Sequence, residues 1–195
     1  MVPIVDTETT QRCNGAVPSA LQKDNSLSDR LSIRLLSAED TDLLTQHFCR
    51  LSTFDRYCRF FSATSAEGIR AIVDRFDWSR LCAAGAFYGG RIVGIGELGW
   101  ENLKPVVAEV AFSVEETWRK KGLATRLINE VIKNGRQLGI KRIYATWLPG
   151  NDAVRRIITS QGGKCWHEGG LSRGAFFIEP LDGTQAKTGQ LLRSI

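Results

Sequence analysis

Histidine is nearly missing from this 195-residue chain, which has only His47 and His167. A multi-histidine metal site is therefore not expected. Cysteine is sparse too. Cys13, Cys49, Cys58, Cys82 and Cys165 are odd in number, widely spaced and form no CxxC pair. That argues against a zinc site or a disulfide framework, and the cysteines read as small apolar residues. No apolar run approaches the roughly 20 residues of a membrane helix, so no membrane association is expected. The segment Met1–Glu8 lacks a basic patch followed by a long apolar stretch. It does not read as a secretory signal, and the expected location is cytoplasmic. No internal repeat is visible.

What is present suits an ordinary globular protein: 43% hydrophobic and 24% charged residues, net charge +5, pI near 9.1. The modest positive charge fits an anionic ligand as well as nucleic acid. The length suits one domain with tails. Residues 1–29 are rich in Thr, Ser, Gln, Asn and Asp without periodicity and read as a flexible tail. Residues 30–181 carry the folded pattern, and 182–195 read as a polar C-terminal tail.

Within the domain, Leu31–Leu35 alternates like a strand. Ser37 is placed to cap a helix running through Leu43, Leu44, His47, Phe48 and Leu51. Helical stretches follow over Phe54–Phe61 and through Ile69, Ile72, Val73 and Phe76. Leu81–Tyr88 and Arg91–Leu98 form a hairpin around Gly89-Gly90. Pro105–Val114 is the next strand. Leu123, Ala124, Leu127, Ile128, Val131 and Ile132 then mark one face of a long helix ended by Gly139. Arg142–Trp147 is a strand, and Asn151-Asp152 opens a shorter helix closed by Gly162-Gly163. Lys164–Glu168 and Gly174–Glu179 are the last strands. This order indicates an α/β fold with a mixed, largely antiparallel central sheet flanked by helices.

Gly94-x-Gly96-x-x-Gly99 matches a dinucleotide-binding pattern. That motif works only when a strand, a tight turn and a helix N-terminus succeed one another. Here the glycines fall within a hairpin strand and no helical pattern follows. They read as strand glycines that permit a bulge or the close approach of a ligand.

Arg119-Lys120-Lys121-Gly122-Leu123-Ala124 lies between a strand and the long helix. The first amides of a helix lack intrahelical partners, and the helix dipole adds positive potential there. Gly122 and Ala124 leave room for phosphate oxygens at the backbone. Three bases at a helix start oppose the dipole, an arrangement that a bound anion rationalises better than a solvated surface does.

Arg119-x-x-Gly122-x-Ala124 resembles the signature of the GNAT acetyltransferase superfamily, and the chain is similar to that family from Leu31 to about Pro180. Ala108–Val114 resembles its central strand, and Asn151 its asparagine-containing second motif. The segment Leu51-Ser52…Arg56-Tyr57-x-Arg59-Phe60-Phe61 resembles protein lysine acetyltransferases that regulate acyl-CoA synthetases. The resemblance implies a GNAT-type sheet with helices on both faces and acetyl-CoA as co-substrate, with no metal. The backbone of Phe112 and Val114 would pair with the pantetheine arm. The amides of Arg119, Lys120, Lys121, Gly122, Leu123, Ala124 and Thr125 would hold the pyrophosphate. Asn151 would sit near the pantetheine or thiol.

Acetyl transfer to an amine needs a neutral nitrogen, whereas a free lysine is protonated at neutral pH. Glu109, the one carboxylate in an apolar strand, is the candidate base, and desolvation there would raise its pKa. A glutamate at this position also resembles the base of the lysine-acetylating branch. The other reading is a structural glutamate paired with an arginine or pointing out of the sheet. Glu97 is second, expected as an exposed strand residue able to act through water. Ile158 stands where many family members carry an acidic tyrosine, so no general acid is assigned. No partner spacing makes Ser113, Cys165 or His167 a nucleophile. The expected reaction is direct attack by an amine in a ternary complex, with a protein lysine as the leading acceptor. A small-molecule amine, or a non-catalytic acetyl-CoA sensor, is the alternative. Nucleic acid is not an expected partner, and a homodimer stays open.

Overall fold

The computed structural model describes residues 31–102 and 106–179. Seven strands form one sheet in the order β1-β2-β3-β4-β5-β7-β6. The strands are β1 (Ser32–Leu35), β2 (Leu81–Tyr88), β3 (Arg91–Gly99), β4 (Val107–Val114), β5 (Arg142–Trp147), β6 (Lys164–Glu168) and β7 (Leu171–Phe177). The helices are α1 (Thr41–Arg50), α2 (Thr53–Phe60), α3 (Ala66–Val73), α4 (Leu123–Gln137) and α5 (Asp152–Ser160). Only β4 and β5 run parallel; every other neighbouring pair is antiparallel. The α/β reading, with a largely antiparallel sheet between helices, is borne out.

Alternation along each strand sends side chains to opposite faces. Leu98, Ala108, Val110, Ile143 and Ala145 join the apolar stripe of α4 and the buried face of α5 in one core. Ile92 and Ile95 join Leu44, Phe48, Ile69 and Val73 from α1 and α3 in a second core on the other face. The strand glycines explain how closely α4 approaches. A Cβ at Gly96 would stand 3.1 Å from Leu127 Cβ and 3.2 Å from Leu127 backbone atoms. Gly94 and Gly96 therefore make room for the helix that packs across them, whereas a Cβ at Gly99 would meet nothing within 4 Å. The register also shifts between Ala86 and Phe87, the bulge that such glycines permit.

Two strand starts differ from the sequence reading. β4 starts at Val107, and Pro105 lies outside the described residues. β7 begins at Leu171, because Gly169 (φ 59°) and Gly170 (φ 76°) supply a tight turn. β6 and β7 thus form a tight hairpin. The tails expected at 1–29 and 182–195 also lie outside the described residues. No helix among the described residues is long and apolar enough to cross a membrane.

Candidate active site

The sheet opens in its middle. β4 and β5 pair at Val107–Arg142, Ala108–Ile143 and Glu109–Tyr144, and then part. Beyond Glu109, β4 is bonded only to β3 and β5 only to β7. The gap forms a cleft of about 1400 Å³, walled by Val110–Val114 on one side and Ala145–Asn151 on the other. Phe112 and Val114 lie on the unpaired edge of β4, where an extended ligand can add itself like a strand.

The turn before α4 closes one end of the cleft. Gly122 caps α4 at φ 74°, in the left-handed region, and offers no capping side chain. A Cβ there would meet nothing within 4 Å, so conformation and not space requires glycine. Lys120 is also left-handed, at φ 59°. Amides in such a turn form an anion-binding concavity, and those of Leu123, Ala124 and Thr125 have no partner within the helix. No acidic residue occupies the first turn of α4. Arg119, Lys120, Gly122, Leu123, Ala124 and Thr125 all line the cleft, while the Lys121 ammonium lies 5.2 Å from the Trp118 ring centroid. The Arg119 side chain is engaged within the protein. Its Nε donates to the Val114 carbonyl at 3.0 Å, and its guanidinium meets Asp55 at 2.7 Å. Asn151 lines the opposite wall and caps α5, its side chain accepting from the Val154 N–H at 3.4 Å.

Glu109 is half-buried and lines the cleft at the last paired position, beside Tyr144. Burial, and then the charge of Glu109, push the Tyr144 phenol up, which keeps it protonated as a donor. Ile158 is wholly buried in the core, consistent with assigning it no proton transfer. Glu97 departs from expectation. It is 3% exposed, lines the same cleft and pairs with Arg59 of α2. The hairpin pattern of β3 shows which residues share a face, but not that helices cover that face.

Ser113 also acquires an unforeseen partner. Its hydroxyl lies 2.9 Å from Nε2 of His47, a histidine with no exposed surface. Nδ1 of His47 is nearer the Ile92 carbonyl (3.3 Å) than Glu115 (3.7 Å). Glu115 gives its oxygens to Arg50, at 2.8 Å, and Arg91, at 2.5 Å. Burial opposes its ionisation, but the nearby His47 ring, the hydrogen bond from Arg50 and the charges of Arg50 and Arg91 outweigh that. Its carboxyl is held at about 2. This network ties α1 to the end of β4 just before the turn that opens α4, and leaves Ser113 without a charge relay. His167 likewise bonds Ser172 at 3.0 Å. Among the described residues, no group of three metal-binding side chains converges.

The sequence model of the Acetyltransferase (GNAT) family matches residues 50–162, more than half of the chain. No curated protein is a recognisable sequence relative. Solved structures share the fold. The GNAT domain of S. lividans PAT aligns with a TM-score of 0.65 at 23% identity, over 75% of this chain and 89% of that one. The structure of yncA from Salmonella typhimurium with its cofactor acetyl-CoA aligns at 0.59 and 15% identity, over 80% and 99%. A cAMP-binding acyltransferase from Mycobacterium smegmatis aligns at 0.55 and 19% identity, over 81% of this chain and 46% of that one. With the family signature seated at the mouth of a split sheet, the chain belongs to the GNAT acetyltransferase family and is an acyltransferase that takes acetyl-CoA as co-substrate.

Proposed function

We propose that the domain spanning residues 30–181 moves the acetyl group of acetyl-CoA to the side-chain amine of a protein lysine, in the cytoplasm and within a ternary complex. The observation that carries this reading is the position of Glu109. It faces the cleft where β4 leaves β5, at the far end from the phosphate turn. A half-buried carboxylate there can take the proton of an incoming ammonium group. The amide turn from Arg119 to Thr125 holds the pyrophosphate, the β4 edge at Phe112 and Val114 pairs with the pantetheine, and Asn151 faces it across the gap.

Bound acetyl-CoA supplies the thioester. The neutral amine nitrogen forms a bond to the carbonyl carbon, the carbon–sulfur bond breaks, and the electron pair leaves on sulfur. Glu109 holds the proton from nitrogen, and solvent protonates the thiolate. The lysine acceptor is supported by the cleft wall. Leu51, Arg59, Phe60 and Phe61 of the segment resembling lysine acetyltransferases all line it, and the GNAT domain of S. lividans PAT has the same fold.

The test is turnover of acetyl-CoA with lysine peptides and with small amines in parallel, alongside proteome-wide lysine acetylation. The expected result is acetylated lysine in protein. Turnover confined to small amines would overturn the lysine acceptor. Acetyl-CoA binding with no turnover on any amine would overturn catalysis itself.

A further inference from the structure

A polar atom at the cleft wall has no partner. One oxygen of Glu97 pairs with Arg59, while the other, Oε1, is buried and meets no donor. Native interiors rarely leave a carboxylate oxygen unmet. The Arg59 guanidinium packs against Phe60 at 5.1 Å and Phe48 at 5.6 Å, and its Nε is likewise buried without a partner, so this pairing leaves one carboxylate oxygen and one N–H unmet. The side chain of Glu97 is 4% exposed.

The register places this oxygen near the chemistry. Glu97 stands opposite Ala111, and Gly99 opposite Glu109. Residues two apart on a strand share a face, so Glu97, Gly99 and Glu109 do too. A Cβ at Gly99 would meet nothing within 4 Å. Two carboxylates therefore border an open space above a glycine. Phe54, Phe61, Phe76 and Leu81 supply apolar walls to the same cleft. This combination suits an alkylammonium group. Its nitrogen carries several N–H donors, and its hydrocarbon stem packs against aromatic rings.

We infer that Oε1 of Glu97 accepts an N–H of the acceptor's ammonium group, with Arg59 holding Glu97 in place. The inference rests on the reading that the acceptor is a primary amine deprotonated by Glu109. Glu109 removes one hydrogen, while Glu97 keeps its bond to another on the same nitrogen. The amine thus stays oriented after losing its charge. Glu97 is an acceptor-binding residue and not the base.

The test is calorimetric titration of Nα-acetyl-lysine methylamide, and of its norleucine counterpart, into the full chain saturated with CoA. The parent protein is expected to bind the lysine probe at least tenfold more tightly. Glu97→Gln should shrink that preference to twofold or less and leave the Kd for CoA within twofold of the parent. Should that variant not fold, Gly99→Val fills the space between the carboxylates while leaving both residues in the chain, and should weaken the lysine probe at least fivefold. The inference is overturned by equal binding of the two probes to the parent, by an undiminished preference in Glu97→Gln, or by undiminished lysine binding in Gly99→Val. No acetyl transfer enters these titrations, so failure of the lysine-acetylation reading shows up separately, as missing peptide turnover.

Discussion

Arg119 and Asp55 meet at 2.7 Å, so the turn that opens α4 is fastened to α2 on the acceptor side of the cleft. The second bond of Arg119, to the Val114 carbonyl, fixes the same turn to the end of β4. The side chain positions the amides instead of reaching for phosphate. Arg119→Ala is expected to raise the Kd for acetyl-CoA about tenfold, ~1.4 kcal/mol. Arg119→Lys should not restore affinity, because an ammonium group cannot reproduce the planar fork that spans both acceptors. Asp55→Asn removes only the exposed pair and should cost about twofold to threefold. Calorimetry on the three variants checks the order. Full affinity in Arg119→Lys would show that charge alone matters.

Gly122 separates backbone demand from phosphate access. At φ 74°, an alanine is strained although nothing crowds its Cβ. Gly122→Ala should lose about 1–2 kcal/mol of stability in denaturant melts and retain measurable acetyl-CoA binding. Gly122→Glu adds a negative side chain at the mouth of an anion site and should abolish binding while unfolding at a similar denaturant concentration. Equal acetyl-CoA affinity in the two variants would remove the turn from the phosphate site.

Glu109→Gln keeps the shape of the side chain and removes its basicity. A positioned general base contributes on the order of 100-fold to 10,000-fold. The variant should therefore lose at least about 100-fold in kcat at neutral pH, with the Kd for acetyl-CoA nearly unchanged. A parental pH–rate profile in steady-state assays would take Glu109 out of the proton path.

Glu115 links stability to acid. Its folded value, about 2, lies below the ordinary 4.5, so the stabilisation is fully present above about 4.5 and fades as pH falls toward 2. The gap corresponds to on the order of 3 kcal/mol. Thermal melts from pH 2 to 7 should show a steep acid limb in the parent and a shallower one in Glu115→Gln. The two curves should converge at the acid end. Parallel curves would mean that Arg50 and Arg91 stabilise the fold without the charge of Glu115.

The turn between β4 and α4 was readable in the sequence because its signals are local: Arg119, Gly122 and Ala124 sit beside a strand and a strongly periodic helix. The strands and the long helix followed from alternation and an apolar stripe, while helices on both faces of the sheet came with the family resemblance. What escaped were pairings across distant elements. Nothing near Glu97 announces Arg59, 38 residues earlier, and nothing near Ser113 announces His47, 66 residues away. Each depends on α1 and α2 folding over the sheet, a matter of tertiary packing that strand periodicity does not encode. Gly94–Gly99 failed as a nucleotide turn for a legible reason, the missing helix. The use of Gly94 and Gly96, making room for Leu127, needed the packed structure.

The parting of β4 from β5 turns the protein into a gauge of length. The phosphate turn follows the end of β4 at Val114, and the acid sits where pairing stops at Glu109. Residues 110–114 carry β4 from that point to its end, a span of about 17 Å, and residues 115–118 then lead into the turn. A donor must bridge that distance to have its phosphates gripped and its thioester presented at the same time. Small acetyl donors, such as acetyl phosphate, can reach one end only. On the proposed reading, discrimination among donors rests on a backbone distance rather than on a side chain.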